Sequence, residues 1–219
     1  MKPKGMIIPQ YMEIFFDFVE KDHEKHNALA RGGHDFLHAC RVAQAAWIIS
    51  EKYSTKVCAW IAGMLHNTDR FYSEKEIPNF LKRALSLTPF HSQSLESTMI
   101  IESILNHHKP NDENDNEVTI VLKDADRISD LEIIQIIRSA QFHPHSFIYD
   151  PENPSHVVDT SKDFSSSLFT NIHRVLEWEH DPKMQLRNPK AIEMAKPGFI
   201  FLKQALNDFE RQLALLSMW

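Results

Sequence analysis

The 219-residue chain is poor in glycine, in cysteine, in long apolar runs and in surplus positive charge. It has only 5 glycines, where about 7% of residues is ordinary, which disfavours a sheet-rich fold full of glycine turns and points to an all-α chain. Its 2 cysteines, Cys40 and Cys58, lie too far apart for a CxxC motif. That excludes a disulfide framework and a cysteine-based zinc module, and a reduced, cytoplasmic setting is the simplest expectation. No apolar run approaches the ~20 residues needed to cross a bilayer, and the opening MKPKGMIIPQYMEIFFDF meets Glu13 and Asp17 too early for a signal-peptide core, so no membrane role is expected. With 24 Lys and Arg against 30 Asp and Glu the net charge is −6, and no basic face is available to neutralise phosphates. Nucleic acid is therefore not an expected partner.

What the chain does have is histidine, 13 in all, a side chain that titrates near neutrality and ligates metals readily. Its length suits a single domain able to bury a real core, taken here as 1–219. Apolar residues recur at helical spacing in 11–27, where Ile14, Phe15, Phe18 and Val19 share a face. Gly32-Gly33 breaks that pattern, and Asp35 is placed to cap a second helix through Val42, Ala46, Ile49 and Tyr53. Ser54-Thr55 opens a third, CAWIAGMLH, apolar on nearly all sides and so buried, ending at His66-Asn67. Further helices are expected over about 74–85 and 92–107, between which Pro89 intervenes. NDENDNE at 111–117 reads as a solvated loop, and VTIVLKDADRISDLEIIQIIRSA as a buried helix despite its β-branched start. Segment 141–162 has three prolines and no period, as a lid or site wall would. The last helices are expected over about 164–178 and over Pro189–Leu216, kinked or split at Pro197.

Most of the histidines lie in polar stretches and are expected in solvent: His23, His26, His156, His173 and His180. His143 and His145 flank Pro144 in the long loop, and His91 sits near a helix start. Four clusters differ, because His or Asp stands at the edge of an apolar segment: GHDFLHACRV from Gly33, MLHNTD from Met64, LNHHK from Leu105 and LKDADRI from Leu122. Polar groups at the ends of several buried helices need one another or a cation. Imidazole with carboxylate suits Fe, Mn, Co, Ni or Zn.

This order of an HxxRV helix, an apolar helix ending in LHN and a DADR helix resembles the HD superfamily of metal-dependent phosphohydrolases, in particular its small single-domain bacterial members. The motif core spans about 33–130, and the C-terminal helices, about 163–217, are similar in layout. The resemblance implies an all-α helical bundle of the HD-domain type and a divalent metal cofactor, one ion or two, of Mn, Fe, Co, Ni, Zn or Mg. It implies ligands His38, His66, the residue at 67 and Asp126, the aspartate directly before Arg127. His107 and His108, followed by Lys109, occupy the place where relatives put a second-metal or substrate-binding histidine pair. Asp124 would then support Asp126 or cap its helix.

At position 67, where the family has the aspartate of its name, this chain has Asn67. An amide offers a neutral oxygen in place of a full negative charge, so the site keeps one carboxylate instead of two. Asp69, two residues on, could swing into that place. Such an ion would acidify a water and polarise a phosphoryl oxygen. Asp69 or a loop histidine would take the proton, and Lys109, Arg70 or Arg127 would hold the phosphates. Arg41 reads instead as a salt-bridge partner inside the bundle. The expected activity is hydrolysis of a nucleotide, a pyrophosphate or another small phosphate ester. The alternative is a degenerate domain that binds a ligand or regulates, having lost turnover through Asn67. Nothing in 141–162 reads as a base or sugar code, and Trp47, Trp60 and the Phe-rich ends could supply a homodimer face as readily as a core.

Overall fold

The carboxylate of Asp35 accepts the backbone N–H of His38 at 2.8 Å and so opens the helix that carries the first candidate ligand. This is a computed structural model, and it describes residues 2–26, 34–90, 93–142 and 168–216. They fall into two compact units, 1–129 and 130–219, and every motif residue from His38 to Asp126 belongs to the first.

In that first unit α1 is Glu13–Lys25, α2 Phe36–Ile49, α3 Tyr53–Leu65 and α4 the single turn Thr68–Phe71. They are followed by α5 (Ile77–Leu85), α6 (Leu95–Asn106) and α7 (Glu117–Ser129). Among the described residues there is no strand. Helices α3 and α7 pack on each other and on both α2 and α6, and α1 lies against α2, α3 and α5. As its composition demands, α3 is buried without a break from Val57 to Leu65. Its contact with α2 is made close by small residues: a Cβ on Gly63 would stand 2.8 Å from both the Cα and the N of Ala43. Only glycine permits that approach, and it brings the C-terminal end of α3 hard against α2.

The second unit holds α8 (Ile133–Phe142), α9 (Leu168–Leu176), a 3₁₀ turn at Glu177–Glu179 and α10 (Pro189–Leu216). Here α9 packs on both α8 and α10. The expected continuous helix from Val118 to Ala140 is two helices: α7 stops at Ser129, and Glu132 takes φ 64° before α8 begins. A left-handed residue cannot continue a right-handed helix. By contrast α10 runs unsplit through Pro197. Segment 141–162 lies outside the described residues from 143 onward, as do 164–167.

The acidic stretch 111–117 is not simply solvated. Lys123, only 1% exposed, donates from Nζ to Asp115 Oδ2 at 2.7 Å and to the Pro110 carbonyl at 2.8 Å. The Asp115 side chain is itself 6% exposed. A buried ammonium needs such partners, and the loop supplies them. Asn116 accepts the Thr119 N–H at 2.9 Å and so caps the start of α7.

Candidate metal centre

Helices α2, α3 and α7 each contribute one group to a single point. His38 rises from the first turn of α2, His66 sits at the C-cap of α3 and Asp126 lies in α7. His38 Nε2 stands 3.1 Å from His66 Nε2 and 3.2 Å from Asp126 Oδ1, and His66 Nε2 is 3.7 Å from the same oxygen. Both imidazoles are buried, while the Asp126 side chain is 30% exposed, so the cluster opens on its carboxylate side. Among the described residues these three form the one group of His, Cys, Asp and Glu donors close enough to share an ion, with all donor atoms within 4.8 Å.

Local backbone geometry sets the donors. His66 Nδ1–H donates to the Gly63 carbonyl at 2.7 Å, which leaves Nε2 as a bare lone pair aimed at the cluster. Burial pushes the His66 pKa well below 6.5 against the pull of Asp126, so the ring is neutral. Burial also works to raise the Asp126 pKa. The hydrogen bond donated by His38, with the imidazoles gathered around the carboxylate, outweighs it and holds the carboxyl well below its usual range. The result is a neutral imidazole lone pair and an ionised carboxylate, the protonation states that a cation requires. For bonds of about 2.1 Å, neighbouring donors on an ion lie about 3.0–3.4 Å apart; the separations of 3.1 and 3.2 Å from His38 fall in that range, and the 3.7 Å between His66 and Asp126 lies just beyond it.

His107 repeats the design of His66. It caps the C-terminus of α6, and its Nδ1 donates to the Ile104 carbonyl at 2.7 Å, again freeing Nε2. Its ring stands edge-to-face on that of His66, centroids 5.4 Å apart, and His108 follows edge-to-face on His107 at 5.5 Å. His108 is exposed, and burial, then His107, lowers its pKa.

The remaining candidates lie elsewhere. Asn67 follows His66, is 2% exposed, and its Nδ2 has no hydrogen-bond partner among the described residues. Asp69 does not enter the donor group: it is on α4, 40% exposed, 3.9 Å from Arg70 Nε. Lys109 is exposed and donates to Asn106 Oδ1 at 2.8 Å. Arg127 is turned inward rather than toward a ligand, 6% exposed, bonded to Asn111 Oδ1 at 3.0 Å and 3.6 Å from Asp124 Oδ1. Asp124 is fully buried beside it. Arg41, expected in a salt bridge, makes none among the described residues, and its Nε is buried without a hydrogen bond. It stands one turn after His38, a spacing that marks it as a neighbour of the site.

His23, expected in solvent, is 6% exposed and held edge-to-face by Phe36 and Phe71 at 5.6 and 4.8 Å. Beside it His26 stacks on Phe71, and the Tyr72 hydroxyl donates to Asp22. Asp22 and His23 of α1, with His26 at its C-cap, meet Phe71 of α4 and Tyr72 just after it; spacing alone carried no sign of that partner.

No family model matches the sequence, and no curated protein matches it in a sequence search. Solved structures do match its fold. An HD-superfamily hydrolase from Bacillus thuringiensis is similar with a TM-score of 0.67 at 20% identity, over 93% of this chain and 96% of that one. YpgQ of Bacillus subtilis, solved in complex with ADP, is similar with a TM-score of 0.63 at 16% identity, over 93% and 95% of the two chains. A Lactobacillus plantarum protein matches with a TM-score of 0.67 at 15% identity, over 96% and 100%. The chain has the all-α fold of the HD-domain hydrolases, with a His-His-Asp group whose donor atoms could hold a metal ion.

Proposed function

We propose that this protein is a metal-dependent phosphohydrolase acting on a small phosphate ester or anhydride, nucleotides included. The observation that carries the proposal is the convergence of His38 Nε2, His66 Nε2 and Asp126 Oδ1 from three helices in a hydrolase fold. ADP in the complex with YpgQ supports a nucleotide as one member of the substrate class.

His38, His66 and Asp126 would hold the ion, a set that suits Mn, Fe, Co, Ni or Zn more than Mg. When bound, such an ion polarises a phosphoryl oxygen and acidifies water. The protein does the rest. Asp126 stays ionised, and the Gly63 carbonyl fixes the His66 tautomer. His107 Nε2, bare and beside His66, is placed to accept the proton lost by the attacking water. Arg41 beside His38, with Lys109 and Arg70, both exposed, would meet the phosphate charge. Both cysteines are free and buried; a reducing, cytoplasmic setting belongs to the same proposal, and no described helix is long and apolar enough to cross a membrane.

A second reading has its own observation, the buried Asn67 amide with an unpartnered Nδ2. It makes the domain a ligand binder whose metal site is weak. Elemental analysis after growth with Mn, Fe, Co and Zn separates the two. Near-stoichiometric metal, lost in His38→Ala together with hydrolysis of nucleoside di- and triphosphates, is the expected result. Less than about a tenth of an equivalent, or hydrolysis that survives His38→Ala, refutes the phosphohydrolase.

A further inference from the structure

A cavity of about 870 Å³ between α4, α5 and α6 is not used by the chemistry above. It meets the metal centre through two turns of the chain. In one, His66 faces the cluster while Thr68 and Asp69, two and three residues on, line the cavity. In the other, His107 stands on His66 while His108 and Lys109 line the cavity. Each turn therefore puts one histidine on the reacting side and its successors on the cavity side.

The walls are apolar. Leu81 and Leu85 come from α5, and Ile101, Ile104 and Leu105 from α6. Leu105 leaves 44% of its surface exposed, although a leucine facing nothing gains nothing from that position. The charged lining is balanced, Lys82 and Lys109 against Asp69 and Glu74. A cradle for a polyphosphate would carry an excess of cations. The cavity is of the size and character that holds an organic ligand, largely apolar with a few convergent polar groups.

We infer that the cavity takes the organic part of the substrate, and that the substrate is a phosphate ester with a large, predominantly apolar or aromatic body. Free pyrophosphate and small polyol phosphates are then poor substrates, because they leave the apolar walls wet. Ile101 and Leu105, one turn apart on α6, determine this specificity. The inference rests on the phosphohydrolase reading only for the phosphate end; the cavity itself is independent of turnover.

The test uses two non-hydrolysable probes, (1-naphthylmethyl)phosphonate and methylphosphonate, titrated calorimetrically into the full-length protein with added Mn²⁺. Burying one ring system predicts that the naphthyl probe binds about tenfold to a hundredfold more tightly. Ile101→Trp, which pushes a bulky ring into the cavity from its α6 wall, and Leu105→Asp, which makes that wall polar, should each weaken that preference and leave methylphosphonate unchanged. Both positions are at least partly exposed, so the core is spared. Equal affinity for the two probes, no binding of either, or a preference that neither substitution weakens overturns the inference. Hydrolysis of 1-naphthyl phosphate and glycerol phosphate is measured in parallel. A naphthyl preference in binding without turnover of any ester sinks the phosphohydrolase and leaves the cavity assignment standing. Turnover of both esters at equal kcat/KM does the reverse.

Discussion

Removing Asp115 should cost far more than a surface acid on an acidic loop has any right to cost. Lys123 Nζ lies 2.7 Å from its carboxylate and 2.8 Å from the Pro110 carbonyl, in a side chain that is 1% exposed. Breaking a buried pair from one side costs about 3–5 kcal/mol because it strands a charge. Here the Pro110 carbonyl remains, and the vacated carboxylate volume lies in a loop that water can enter. Asp115→Ala should therefore cost about 2–3 kcal/mol. Lys123→Met removes the buried ammonium and leaves Asp115 Oδ2 the Asp112 N–H at 3.1 Å as a partner, so it should cost about 1 kcal/mol or less. The double variant should be more stable than Asp115→Ala alone. Urea unfolding followed by far-UV circular dichroism and by tryptophan fluorescence measures all three, the two probes guarding against separate unfolding of the two units. A shift of about 2–4 °C in Tm per kcal/mol gives an expected loss of about 4–12 °C for Asp115→Ala. If Asp115→Ala costs under about 0.5 kcal/mol, or if Lys123→Met costs more, then the pair does not hold the loop and the reasoning fails. The pair matters for the site because Lys123 and Arg127, one turn apart on α7, tie Pro110 and Asn111 to the helix that bears Asp126. That tether sets where His107, His108 and Lys109 lie.

Other consequences can be measured in the same way. Asn67→Asp adds a carboxylate beside His66; it should tighten Mn²⁺ binding about tenfold or more and lower metal-free stability by about 1–2 kcal/mol, both read by thermal shift with Mn²⁺ and with chelator. Unchanged affinity would mean that residue 67 does not face the ion. Gly63→Ala forces α2 and α3 apart at Ala43 and should cost at least about 1–3 kcal/mol while weakening metal binding, since His66 is one turn away; a wild-type melting curve would refute the close contact. Burial pushes the His23 pKa down to about 4 from 6.5, with Asp35 opposing. The unfolded chain thus takes up that proton first as pH falls. The His23 contribution is complete above about pH 6.5 and is lost toward pH 4, up to about 3 kcal/mol. His23→Phe should flatten that part of the stability profile between pH 7 and 5, and an unaltered slope would contradict it.

The helical class was legible because it rests on local signals. Asp35 stood where a cap belongs, and CAWIAGML had no polar face to expose, so α2 and α3 followed. His38, His66 and Asp126 were legible by resemblance, and their convergence in space is carried by the structure. The partners of isolated polar residues were not legible. Asp115 looked solvated because nothing in NDENDNE points to a lysine on the next helix, and His23 looked solvated because Phe36 and Phe71 reach it from other elements. The break after Ser129 was hidden too, since apolar spacing continues across it and only the left-handed Glu132 stops the helix.

What the sequence determined by itself is therefore the helical class and most of the helices, through composition, caps and apolar periodicity, and the residue types available for a metal. Tertiary structure decided which of those residues meet. It turned Arg127 into an internal tie and left Asp69 outside the donor group. It set the His107 ring edge-to-face on that of His66, although the bond each makes back to a carbonyl three residues earlier is local. Those outcomes depend on how closely α2 and α3 approach at Gly63 and on where residues 110–116 are pinned. Both are contacts between segments distant in the chain, which local propensity does not encode.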